Sequence, residues 1–110
     1  MTTQETIEAC GRELAAYWAK ARALQPPAGT LAVGGAHMDA VFAATALEGL
    51  LGGLRGGLDA AVTRARQDVR DAVRKWNDRC GDYVTRRWEG CQDRLIEAWA
   101  GKLRAATGEK

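Results

Sequence analysis

The chain has 110 residues with 46% apolar and 27% charged side chains, which excludes a disordered polyelectrolyte and a membrane-embedded protein and leaves one domain with a modest core. Its formal charge of +2 divides into three bases and five acids over residues 1–54 against thirteen and nine over residues 55–110. That excess is too small to demand a polyanionic partner.

Ala, Leu, Arg and Glu predominate, proline is confined to Pro26 and Pro27, and β-branched residues form no period-two runs. The expectation is an all-α single domain with three helices, over about residues 3–25, 38–54 and 58–106, joined as an elongated bundle. The start, Met1-Thr-Thr-Gln-Glu, has neither a basic region nor an apolar run of the secretory kind, so a cytoplasmic protein is expected.

The first helix is written by Ile7, Cys10, Leu14, Tyr17 or Trp18, Ala21 and Leu24 at helical spacing. Glu5 and Glu8 near its start and Lys20 and Arg22 near its end suit the helix dipole, Thr3 and Thr6 offer hydroxyl caps, and Gln25-Pro-Pro ends it. Residues 26–37 read as a connector of small and apolar residues, and the one histidine, His37, is expected in contact with solvent there.

The second helix carries Val41, Phe42, Ala46, Leu47, Leu50, Leu51 and Leu54, with Asp39 as a cap or first-turn acid. It is too short and too interrupted by Glu48 and Arg55 to cross a bilayer, although the segment from Val41 to Leu58 could lie at a membrane surface. Gly49, Gly53 and Gly57 stand four apart, as do Gly52 and Gly56. Residues 49–57 therefore form either a smooth face for close helix approach or, the favoured reading, a hinge.

From Leu58 to Leu103 one apolar stripe runs through Val62, Ala65, Val69, Val73, Trp76, Cys80, Val84, Trp88, Cys91, Leu95 and Trp99, always three or four residues apart. Charged flanks, including Arg64 with Asp68, Asp71 with Lys75, Arg74 with Asp78 and Asp82 with Arg86, describe a solvated helix surface. Because the phase persists across Gly81 and Gly90, a single helix is expected, about 68 Å long at 1.5 Å per residue. A hairpin at either glycine is the alternative.

Three cysteines, an odd number at wide spacing, read as buried reduced thiols rather than a disulfide or zinc framework. The chain holds no serine and no phosphate-binding or dinucleotide motif, so no catalytic, cofactor or metal site is expected and the protein is read as a non-enzyme. Instead, Val69, Val73, Trp76, Val84, Trp88, Leu95 and Trp99 are the candidate protein interface, for a homo-oligomer or another protein. Arg74, Lys75, Arg79, Arg86 and Arg87 form the candidate nucleic-acid surface, the less favoured partner because acids punctuate the same stretch.

Trp88-Glu89-Gly90, the chain length and the helical plan resemble the WXG100 family of small helical dimers exported by type VII secretion systems. The resemblance implies a leaderless exported helical protein. In that family the Trp-x-Gly triplet occupies the turn between two central helices, whereas the stripe places it here inside a continuing helix. The family's C-terminal Tyr-x-x-x-Asp/Glu pattern is also missing, since Tyr17 is followed by Ala21 and Tyr83 by Arg87.

Overall fold

The computed structural model describes residues 2–25, 35–80 and 83–108, with backbone alone at 79, 80, 83 and 84. Its first helix, α1 (Thr3–Ala23), is capped by Thr2, whose hydroxyl accepts from the Glu5 amide while the Glu5 carboxylate accepts from the Thr2 amide. That reciprocal cap satisfies two amides that a helix start otherwise leaves orphaned, and those bonds hold the exposed Glu5 carboxyl below its ordinary range. The cap falls on Thr2 rather than Thr3, and Thr6 donates back to the Thr2 carbonyl at 2.9 Å.

Helix α2 (Gly35–Gly52) starts earlier than its sequence pattern suggests, which puts His37 in a helix rather than a loop. Met38, Phe42, Ala44, Ala46, Leu47 and Leu50 are fully buried, and Ala40 and Ala43 nearly so. Apolar positions wrap most of this helix because α1, α3 and α5 all pack on it. The burial accounts for the apolar run from Val41, and among the described residues no helix is long and apolar enough to cross a membrane.

A 3-10 turn over Leu54–Gly56 and Gly57, at φ 96°, then reverse the chain into α3 (Leu58–Cys80). Both readings of the glycine segment hold in part, the turn at 53–57 and the close approach at Gly49 and Gly53. A Cβ on Gly53 would stand 2.7 Å from the Ala61 Cα, and one on Gly49 3.0 Å from the Ala65 Cα. Small residues four apart on both helices let the two backbones meet.

The single long helix expected over 58–106 is not formed. After α3 come a short α4 (Tyr83–Trp88), a turn at 89–92 in which Gly90 adopts φ 78°, and α5 (Asp93–Thr107) running back along α3. Ion pairs give the direction, Asp59 meeting Arg104 and Arg66 meeting Asp93 and Glu97. Helix α1 is likewise antiparallel to α5, since Thr3 bonds the Ala106 carbonyl and Glu13 bonds Trp99. Among the described residues the fold is all-helical, with four helices of 15 residues or more rather than three, each antiparallel to its chain neighbour. The molecule measures 47 × 24 × 19 Å, well short of a 45-residue rod.

The stripe remains periodic across the break because α3 and α5 line the same core, and each needs an apolar row of its own. Its phase does shift. Cys91 is exposed and Leu95 half-buried, whereas Ile96 and Ala100 are fully buried beside Trp99 and Leu103. The Asn77 side chain serves the break, its Oδ1 accepting from the Thr85 amide of α4 at 3.2 Å.

Candidate protein-binding groove

Four of the seven residues expected to meet a partner lie inside the chain's own core: Val69 is 3%, Val73 1%, Trp88 1% and Trp99 6% exposed. The apolar face that lacked a cover in the straight-helix reading is covered once α5 folds back. Each of the two buried indoles also finds an acceptor. Trp88 Nε1 donates to Asp39 Oδ1 and Trp99 Nε1 to Glu13 Oε2, both at 2.5 Å. Phe42 meets the Trp88 ring edge-on at 6.0 Å, and Lys102 Nζ stands 4.2 Å from the Trp99 centroid. Leu95 is half-buried, and the Val84 side chain lies outside the described residues.

Trp76 differs from the other two. It is only partly buried and lines a surface groove of about 340 Å³ together with Trp18, Ala21, Arg22, Gln25, His37 and Val41. Helix α2 contributes the floor through His37 and Val41, α1 one bank through Trp18 and Arg22, and α3 the other through Trp76. Sequence periodicity on α1 permits either Tyr17 or Trp18 inward. Both are half-buried, which leaves Trp18 at the rim of the groove.

His37 is 8% exposed, which corrects the expectation of a solvent-facing loop residue. Its Nδ1 lies 2.7 Å from the Ala21 carbonyl, an acceptor, so Nδ1 carries the proton. This bond satisfies one of the open carbonyls at the end of α1. The ring meets Trp76 edge-to-face at 6.4 Å and 79°, and thereby fixes the inner wall of the groove.

Of the arginine-rich set, Arg74, Lys75, Arg86 and Arg87 are exposed, while the Arg79 side chain lies outside the described residues. Arg87 covers the Trp88 ring at 5.0 Å, and Trp88 itself is too buried to stack on a base. Exposed Asp78 and Glu89 interrupt the patch. Arg64 pairs with Asp68 at 3.6 Å as the spacing foretold, whereas Asp71 accepts from Gln67 at 2.8 Å. The Asp82–Arg86 pair falls outside the described residues.

Burial pushes the Cys10 thiol up to about 11, which makes it an inert core residue. Cys91 is exposed, contrary to the expectation, and partial burial of its sulfur raises its pKa also. The Cys80 side chain lies outside the described residues. Among those described, no three His, Cys, Asp or Glu side chains gather as metal ligands would. At the other end of the bundle Ile7, Leu54, Leu58 and Leu103 border a cleft of about 250 Å³. Its two threonine hydroxyls bond main-chain carbonyls, Thr3 that of Ala106 and Thr107 that of Arg104.

Trp88-Glu89-Gly90 occupies the turn after α4, so the triplet lies at a helix–helix turn and not inside a continuous helix. No protein-family model matches the chain, and comparison with curated proteins and with solved structures found no significant match.

Proposed function

We propose that this chain is a non-enzymatic helical adaptor that binds a segment of another protein in the groove between Trp18 and Trp76. The observation that carries this reading is the pair of half-buried tryptophans on opposite banks of one groove, with Val41 between them. Tryptophan offers a large rigid contact area at small entropic cost and is enriched at the energetic centres of protein interfaces. Of the tryptophans on the sequence stripe, Trp88 and Trp99 are committed to the core, so Trp76 is the one that retains a role at the surface.

A photo-crosslinking amino acid at Val41, compared with one at exposed Ala105 in cells of the source organism, tests the reading. The expected result is a protein adduct specific to position 41 that disappears in Trp18→Ala and Trp76→Ala backgrounds whose helical circular dichroism is unchanged. Equal adducts at both positions, an adduct indifferent to the tryptophans, or a self-adduct of two copies would each contradict it.

A further inference from the structure

The geometry points to the chemistry of the partner segment: one apolar side chain flanked by carboxylates, an inference that rests on the groove being a protein-binding site. Around the groove, bases stand unanswered. Arg22 lines it, Lys20 shares the last turn of α1, and Lys75 neighbours Trp76 on α3; all three are exposed and none forms an ion pair with a described residue.

Two nearby carboxylates are engaged elsewhere, Asp39 by the Trp88 indole and Asp71 by Gln67, and exposed Asp78, one turn beyond Lys75, offsets part of the positive charge on the α3 bank without pairing with Arg22 or Lys20. Elsewhere on the bundle several arginines are paired. Arg64, Arg66 and Arg104 each face an acid on the molecule itself. Lys20 and Arg22 also complement the negative end of α1, which uses part of their charge. Lys75 lies inside α3, ahead of the last turn that ends at Cys80, and adds positive potential beside the groove.

Size restricts the occupant as well. A volume of about 340 Å³ seats one large apolar side chain and parts of its neighbours. The occupant is thus a leucine, phenylalanine or tryptophan that enters between Trp18 and Trp76, with aspartate or glutamate beside it meeting Arg22 and Lys75. Complementary charge of this kind sets specificity and association rate, and the apolar anchor supplies affinity.

Selection of a random peptide library displayed on phage against the full chain tests the inference, with synthetic copies of the enriched peptides measured by fluorescence anisotropy. The expected peptides combine an apolar anchor with net negative charge, and bind roughly tenfold or more weakly to the Arg22→Glu/Lys75→Glu variant, whose substituted positions are solvent-exposed. Their binding also falls with salt, as screened surface charges require. Peptides that depend on Trp18 and Trp76 but are neutral or basic would overturn the acidic preference and leave the groove reading standing. Peptides indifferent to Trp18→Ala and Trp76→Ala, or no enrichment at all, would overturn both.

Discussion

The two sides of α3 are joined to the rest of the molecule by different chemistry. Toward α2 the seam is set by close backbone approach, with Gly49 and Gly53 against Ala65 and Ala61 and no room for a further carbon, and Arg64 donates to the Gly52 carbonyl at its exposed edge. On the other side, α5 is attached at its margins by polar bonds: Arg66 to Asp93 and Glu97, Arg104 to Asp59, and across to α1 the Trp99 indole to Glu13. Close packing fails when anything is added, whereas exposed polar contacts tolerate loss of a member. The α2–α3 seam therefore specifies the bundle, and the α5 seams hold a hydrophobic row in register.

The strongest way to break this contrast is Gly53→Val. The new side chain collides with main chain at Ala61 that cannot rotate away, so we expect a loss of about 3 kcal/mol, read from the urea midpoint. A loss below about 1 kcal/mol would show that the seam has slack. Trp99→Phe probes the opposite side. It retains most of the buried ring while removing the indole donor to Glu13 Oε2 and leaving Glu13 only the longer bond from the Tyr17 hydroxyl to Oε1, and should cost about 1 kcal/mol.

Arg104→Ala should matter less, within about 0.5 kcal/mol, because its partner Asp59 is almost fully exposed. Thermal unfolding at low and high salt would check it, and a cost near the roughly 3 kcal/mol of Gly53→Val would place the α5 seams on a par with the packed one. The smallest effect concerns the α1 cap. Since the folded pKa of Glu5 lies below its ordinary value of 4.5, its contribution is complete above that pH and is lost as the pH falls through the folded value. Acid titration by NMR of wild type and Thr2→Ala should show the Glu5 midpoint returning toward 4.5 in the variant.

Much of this fold is legible in the amino-acid sequence because helix caps and apolar periods are local properties. Gln25-Pro-Pro, the paired glycines at 49–57 and the acids and bases at the ends of α1 mark real boundaries. What escaped was topology. An apolar row every three or four residues states which face is covered without stating by what, and the same row serves a rod seeking a partner or two helices returning to one core. Ile96 held the discriminating signal, since its full burial and that of Ala100 displace Leu95 from the row. The groove was only half legible for a related reason. Trp76 stood out by type, but Trp18, Arg22, His37 and Val41 belong to two other helices, and their convergence needs the antiparallel packing of α1 on α2.

The account turns on the tryptophan stripe folding back upon itself and so leaving Trp76, not the whole face, for a partner. The most direct measurement is a pulsed-dipolar distance between spin labels attached through unnatural amino acids at positions 59 and 104, with labelled chains diluted in excess unlabelled protein so that only distances within one chain are read. Asp59 and Arg104 meet at 3.5 Å, so the expected distribution is short, set by a helix spacing of about 10 Å and the label arms. A distribution centred near the roughly 68 Å of a continuous helix would contradict the fold and, with it, the groove.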